Sequence, residues 1–293
     1  MNDDVIEVVA IDTPNADVQV LEEALGALGL TPSSFANLET GMATTFLLTD
    51  KDEEKELAET VATYLESWLD MLSQKPSVSI QSMKKDDWAN SWKKNFHTFK
   101  ASDRLVVKPS WEDYSPSEGD IIIPIDPGMC FGTGYHGTTM ACLQYLDKLQ
   151  AAHGAMSFID AGNGSGILSI GARLLGYSPV VAFDNDPQCI PTSLENLALA
   201  GIHDVAVTCA PLGEFIPEKP ADVVAANILC SVLIAQVDDV IALVRPGGYL
   251  ILSGILIEQY DGLKAAFEAK GCAELENTTI KEWKSGLYRV SRQ

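Results

Sequence analysis

The sequence predicts an α/β protein in two parts, a small ferredoxin-like unit followed by a doubly wound domain on a mostly parallel sheet. Three observations predict it. From about residue 155 onward, strand-like and helix-like segments alternate, the pattern of a parallel sheet covered by helices on both faces. The first 82 residues read strand-helix-strand-strand-helix-strand, the order of a split βαβ unit. The 293 residues are about twice the length of a common domain.

Along the chain, Val5 to Ile11 is strand-like, and Val18, Leu21, Leu25 and Leu28 share one face of a helix over Asn15 to Leu28. Two β-branched or aromatic runs follow, with Glu39-Thr40-Gly41 as the turn between them. From Asp52 to Leu72, the side chains of Leu57, Val61, Tyr64, Leu65, Trp68, Leu69 and Leu72 form a helical stripe, and Ser77 to Gln81 is a last short strand. Trp88, Trp92 and Phe96 recur every four residues beside Lys93 and Lys94. That spacing describes a packed helical face better than a base-stacking surface. Later strands are expected at Ser157–Asp160, Val180–Asp184, Val205–Cys209, Asp222–Ala226, Tyr249–Ser253 and Leu287–Val290, with helices over 167–175, 188–200, 228–244 and 258–270.

Charge marks the boundary. Residues 1–75 hold sixteen carboxylates against Lys51, Lys55 and Lys75, a balance of −13. Residues 84–108 hold seven Lys or Arg against three Asp, a balance of +4. The domains are therefore expected at 1–83 and 101–293, with 84–100 as a helical connector. The acidic surface is either a solvated face or a docking surface for a basic protein.

A net charge of −21 argues against a protein that holds nucleic acid by its phosphates. Apolar residues make up 46% and charged residues 21%, so the chain can bury a sizeable core. The six cysteines form no C-x-x-C pair and the four histidines are scattered, so no metal site is expected. The acidic start lacks a signal peptide's basic region, and no apolar stretch approaches ~20 residues. A cytoplasmic protein with reduced thiols, away from membranes, is expected.

The chemistry begins at Asp160, which ends a strand before Ala161-Gly162-Asn163-Gly164-Ser165-Gly166 and the helix that follows. Glycines there let backbone N–H groups approach a ligand that a Cβ would exclude. A dinucleotide fingerprint starting at Gly162 would need glycine at 167, where Ile167 stands. The Asp160 carboxylate would repel a pyrophosphate and suits an ammonium group. Asp184 ends the next strand, 22 residues past Gly162, where an acid accepts hydrogen bonds from ribose hydroxyls. These features describe a nucleoside carrying an amino acid and no phosphates, which fits S-adenosylmethionine. The plainer alternative is that both acids cap helices.

Phe131-Gly132-Thr133-Gly134-Tyr135-His136-Gly137-Thr138-Thr139 leads into a helical run. It is read as a mobile cover rich in donors, or more plainly as a glycine linker with a helix cap. Asn227 ends the fourth strand of the expected sheet, where it either faces the ligand or caps the next helix.

With those residues in view, the chain resembles the bacterial ribosomal protein L11 methyltransferase family, class I enzymes that use S-adenosylmethionine. The resemblance runs from about Asp86 to the end through DDWANSWKKNF, IDPGMCFGTGYHGTT, IDAGNGSGILSIGA, FDNDP, ADVVAANIL and GGYLILSGIL. It implies a Rossmann-like class I methyltransferase domain. It also implies cofactor contacts at Thr139, Gly162, Asp184 and Asn227, and a mobile N-terminal module that presents the ribosomal protein. To these we add Phe131, Thr133, Thr138, Asp160, Gly164 and Gly166 as cofactor-binding residues and Asn227 as the catalytic residue, with no metal. The expected reaction is protein N-methylation of lysine side chains or the N-terminal amine, leaving S-adenosylhomocysteine. The expected partner is a basic protein of the large ribosomal subunit, with no direct nucleic-acid contact.

Asn163, Gly137 and Tyr135 stand where the family usually has Cys, Pro and Thr. Gly137 is expected to loosen the cover, and cofactor binding to survive Asn163. The competing readings are a methyltransferase with another protein or small-molecule acceptor and a non-catalytic cofactor-binding protein. A glutamine-modifying relative would carry Asn-Pro-Pro-Tyr, where this chain has Asn227-Ile228-Leu229-Cys230. A nicotinamide oxidoreductase is disfavoured by Asp160 and Ile167.

Overall fold

A computed structural model describes residues 5–30, 32–36, 40–49, 53–84, 97–126 and 137–291. The chain divides into two compact units, residues 1–96 and 97–293. The Trp88, Trp92, Phe96 stripe lies outside the described residues.

In the first unit, β1 (Val5–Pro14) leads through a 3-10 turn to α1 (Val18–Ala27), then β2 (Ser33–Ala36), β3 (Met42–Leu48), α2 (Glu54–Leu65) and β4 (Ser77–Lys84). The four strands lie in the order β2-β3-β1-β4, all neighbours antiparallel, which is the ferredoxin-like arrangement. Alternation along β1 sorts its side chains. Val9 and Ile11 pack against Leu21, Ala24 and Leu25 of α1 and Val61 and Leu65 of α2, whereas Val8 and Ala10 group with Phe46 in a separate cluster. Each fully buried aliphatic side chain stabilises this small unit by about 1.5–3 kcal/mol. The stripe read from 52 to 72 is thus two pieces, because after Leu65 the chain tightens into a 3-10 segment through Met71.

The second unit opens with β5 (Phe99–Lys100), β6 (Leu105–Lys108) and β7 (Ile121–Pro124), a three-stranded sheet that the sequence pattern does not announce. Next come α3 (Gly137–His153), β8 (Phe158–Ala161), α4 (Ile167–Leu175), β9 (Val180–Asp184), α5 (Cys189–Leu199), β10 (Ala206–Cys209) and β11 (Ala221–Asn227). The chain finishes with α6 (Cys230–Ala235), α7 (Val237–Ala242), β12 (Val244–Leu256), α8 (Ile257–Glu268), β13 (Cys272–Ile280) and β14 (Trp283–Val290). The large sheet has the order β10-β9-β8-β11-β12-β14-β13, parallel except that β14 runs against both neighbours.

Two expectations need correction. The helix expected over 228–244 is broken at Gln236 into α6 and α7. The strand expected at Leu287–Val290 is the end of a longer β14, paired with a strand, β13, that went unread. Only Cys272 of β13 is buried, Leu275 points outward at 53% exposure, and the half-buried positions carry Glu274, Glu276 and Thr278, so the usual alternation of apolar inside and polar outside is missing.

Successive side chains of the central strands face opposite ways. Val224, Ala226, Leu250 and Leu252 join Leu233, Val240, Leu263 and Phe267 of α6, α7 and α8 in one core cluster. Asp160 and Ser253, of the other parity, bond to Ser169 on α4 and to the carbonyl of Thr138 on α3. Helices therefore cover both faces. The order reverses at β8, whose neighbours are β9 on one side and β11 on the other, and ligands of open α/β sheets bind at such a switch point, beyond the carboxyl ends of the strands. Among the described residues, no helix is long and apolar enough to cross a membrane.

Candidate functional site

The site residues gather at the carboxyl ends of β8, β9 and β11. Asp160 pairs with Ala225 and Ala182 across its two neighbours, Ala161 with Ala226 and Phe183, and Asn227 with Ser253. Past Ala161 the chain turns sharply, with φ of 80° at Gly162, 53° at Gly164 and 87° at Gly166. These are left-handed conformations that glycine adopts without a Cβ penalty. The loop is pinned to the neighbouring strand, because the N–H groups of Gly162 and Asn163 both donate to the carbonyl of Phe183, at 3.0 and 3.1 Å. Space adds a second demand: a Cβ on Gly162 would stand 2.3 Å from Cγ2 of Ile228.

Asp184 accepts hydrogen bonds from the N–H of Gly164 at 2.7 Å and of Asp186 at 2.9 Å. A carboxylate offers about four acceptor positions, so two remain for a ligand's hydroxyls.

Asp160 is only 1% exposed. Its Oδ2 takes two bonds from the first turn of α4, from the Ser169 N–H at 3.0 Å and the Ser169 hydroxyl at 2.7 Å. Its Oδ1 is buried with no partner among the described residues. The helix-capping alternative is thus half right, since one oxygen caps and the other is left over. Burial pushes the Asp160 carboxyl up to about 8, against the two Ser169 bonds that lower it, and the nearby Asp184 charge adds to the rise. The carboxylate expected from the sequence is therefore a neutral acid at pH 7 before any cation arrives.

The Asn163 amide, where the family usually has Cys, extends this row. Its Oδ1 lies 2.9 Å from the Ser169 hydroxyl and its Nδ2 donates to the Ser193 hydroxyl of α5 at 2.5 Å. The Ser169 hydroxyl has one proton for two acceptors. With Asp160 protonated, the acid donates to Ser169, Ser169 donates to Asn163, and every bond in the row is made.

Asn227 is not a helix cap, because α6 begins at Cys230 behind Leu229. Its Nδ2 donates to the Thr139 hydroxyl at 3.4 Å, and its Oδ1 is buried without a partner among the described residues. Thr138 and Thr139 are buried in the first turn of α3. That turn is held by Ser253 of β12, whose hydroxyl donates to the Thr138 carbonyl at 3.2 Å and pairs with the Ser285 hydroxyl at 2.6 Å. Gly137 opens the helix, and a Cβ there would meet Ile280 at 2.9 Å from Cγ2 and 3.0 Å from the carbonyl oxygen. A larger residue there would need Ile280 to shift. Gly137 is itself a buried point of close packing, and the rest of the cover expected to loosen lies outside the described residues.

The structure thus gathers Asp160, Gly162, Gly164, Gly166 and Asp184 around one loop, and joins Asn227 to Thr139. Phe131 and Thr133 lie outside the described residues, as do Tyr135 and His136. Sequence reasoning missed Ser169, Ser193 and Asn196. For the last two a signal existed: with Cys189 and Leu197 they form the buried stripe of α5, and polar residues on an inward stripe ask for partners. Among the described residues, no group of three or more His, Cys, Asp or Glu is placed to hold a metal ion.

Comparison with known proteins agrees with this geometry. The sequence profile of the ribosomal protein L11 methyltransferase (PrmA) family matches residues 9–289. The chain is similar to a ribosomal protein L11 methyltransferase of Citrifermentans bemidjiense, 43% identical over 218 residues that cover 73% of this chain and 70% of the relative. It is also similar to that of Syntrophomonas wolfei, 38% identical over 220 residues, covering 75% and 71%. Among solved structures, the ribosomal protein L11 methylase of Lactobacillus delbrueckii subsp. bulgaricus superposes with a TM-score of 0.61 at 30% identity, over 68% of this chain and 100% of that one. A profile that spans nearly the whole chain, on a sheet that presents the motif residues at its switch point, leaves one assignment: the chain belongs to the ribosomal protein L11 methyltransferase family.

Proposed function

We propose that this protein transfers methyl groups from S-adenosylmethionine to amines of ribosomal protein L11, on lysine side chains, the N-terminal amine or both. One observation carries the reading. At the switch point of a sheet in this family, a triple-glycine loop lies between two acids, and both Asp160 and Asn227 keep a buried oxygen without a partner among the described residues. The donor set suits a nucleoside joined to an amino acid: acceptors for ribose hydroxyls at Asp184, an acid for an ammonium at Asp160, and no third dinucleotide glycine at 167.

The cofactor, when bound, supplies a methyl group already activated on a positively charged sulfur. The remaining work falls to the chain. Gly162, Gly164 and Gly166 let the backbone approach, and Thr138 and Thr139 line the start of α3. Phe131 and Thr133 are assigned to the cover above the cofactor. Asp160 gives up its proton to pair with the incoming ammonium, because an opposite charge favours the ionised form. Asn227 holds the amine, its Oδ1 accepting an N–H so that the nitrogen lone pair faces the methyl group. A free lysine, with a pKa near ~10.4, is cationic at pH 7. Burial beside a cationic sulfur lowers that value and favours the neutral nucleophile. The leaving sulfide needs no acid, so positioning supplies most of the acceleration.

The N-terminal unit, with its −13 balance over residues 1–75, is assigned to steering the basic ribosomal protein. The reaction belongs in the cytoplasm, where that substrate is made, and needs neither a metal nor direct contact with nucleic acid. Mass spectrometry of purified ribosomal protein L11 after incubation with this protein and S-adenosylmethionine tests the reading. Gains in whole methyl units that require the cofactor are expected. No gain, with cofactor binding seen by calorimetry, would move the reaction to another acceptor or leave a binding protein.

A further inference from the structure

Helix α5 touches the glycine loop more closely than a covering helix needs to. A Cβ on Gly166 would stand 2.8 Å from the Ser193 hydroxyl and 3.4 Å from the Ser193 Cα, so glycine at 166 is what admits the helix. Ser193 takes the Asn163 amide at 2.5 Å. One turn further on the same stripe, Asn196 is 3% exposed and uses both ends of its amide. Its Nδ2 donates to the Ser165 carbonyl in the glycine loop at 2.9 Å. Its Oδ1 accepts the backbone N–H of Asp126 at 2.9 Å. Asp126 lies just past β7, in the other sheet of the unit, and its carboxylate is itself held by the N–H and hydroxyl of Ser110 at 2.9 and 2.7 Å.

From this geometry we infer that Asn196 is a positioning residue for the cofactor, a two-ended brace that sets the glycine loop of the large sheet against the end of β7 in the small one. The inference rests on the cofactor reading above. A planar amide with a donor and an acceptor is the side-chain group that can take a carbonyl on one side and an N–H on the other. Asn196 therefore ties the two loops together directly through one side chain. Losing it leaves a buried carbonyl and a part-buried N–H without this partner, which costs binding geometry as well as stability.

Three variants separate the brace from general support. Asn196→Ala removes both ends. Asn196→Asp keeps an acceptor for Asp126 but removes the donor to Ser165. Leu197→Ala, a 2% exposed neighbour on the same helix, opens a cavity without removing a hydrogen bond to either loop. The full-length proteins are compared by amide hydrogen exchange, by thermal midpoint, and by calorimetry with S-adenosylmethionine and S-adenosylhomocysteine. Asn196→Ala is expected to speed exchange at the Asp126 amide and to weaken cofactor binding by about tenfold or more. Asn196→Asp should protect Asp126 yet still bind more weakly. Leu197→Ala should lower the midpoint and leave affinity within about twofold. Unchanged Asp126 exchange in Asn196→Ala overturns the brace. So does an affinity loss that Leu197→Ala reproduces at the same drop in midpoint. If the unaltered protein binds neither molecule, the cofactor reading falls, and the exchange data alone then decide whether Asn196 joins the two loops.

Discussion

Two buried aspartates, one in each unit, are put to different uses. Asp17 in the N-terminal unit is 5% exposed and spends both oxygens within the fold, on the Ser73 N–H at 3.1 and 3.0 Å, the Ser73 hydroxyl at 2.8 Å and the Gln74 N–H at 3.3 Å. Asp160 in the C-terminal unit is buried at least as deeply, yet among the described residues all its bonds go to Oδ2. A buried carboxyl group needs hydrogen-bond partners for its oxygens. Asp17 has them and works as a staple from the start of α1 to the chain before β4. Asp160 has half a set, and burial raises its carboxyl to about 8. It is this unspent oxygen, not burial itself, that distinguishes Asp160 from Asp17 and on which its proposed role rests.

The largest expected effect falls on Asn227, whose Oδ1 is likewise buried without a partner among the described residues. Asn227→Ala should cut the methylation rate by about a hundredfold while changing cofactor affinity by less than about tenfold, as read by initial rates and calorimetry. Equal rates in the two proteins would remove Asn227 from the reaction.

Asp160 predicts a pH signature. Its folded-state value of about 8 lies above the ~3.9 of an unfolded chain, so between those values the folded protein holds the extra proton. The stability of the unliganded protein should then fall as pH rises through roughly 4 to 8. Binding a cation expels that proton, so cofactor affinity should climb with pH up to about 8, by at most about tenfold per unit. Asp160→Asn should flatten both dependences, in chemical denaturation and in calorimetry across pH. Parallel slopes in the variant would mean another group titrates.

Asp17→Ala should do the opposite kind of damage. It should destabilise the N-terminal unit by about 1.5–3 kcal/mol and leave cofactor affinity unchanged. A large loss of affinity would break the distinction between the two acids. The smallest effect concerns the acidic balance of the first 75 residues: raising salt from ~0.05 to ~0.3 M should slow methylation of a basic protein several-fold, and a flat response would remove the steering argument.

Much of this was legible in the sequence because it is local. The helical stripe of Leu21 and Leu25, the alternation of β1, the glycines of the 162–166 loop and the acids at two strand ends are each set by spacing along the chain, where residue type and backbone geometry act over a few residues. β13 escaped because its half-buried side carries Glu274, Glu276 and Thr278 while Leu275 faces outward, which inverts the usual alternation, and the break at Gln236 escaped because no proline or glycine announces it. Tertiary structure alone decided what the site residues can do. The raised Asp160 carboxyl depends on what surrounds it, since the desolvation that raises it and the Ser169 bonds that oppose the rise both come from the fold around the strand. That Gly137 is closely packed depends on Ile280, 143 residues away in the chain. That Asn196 joins two sheets depends on a helix laid across both. A sequence states which groups are present; their charge, spare valences and reach are set by neighbours that only the folded chain brings within a few ångströms.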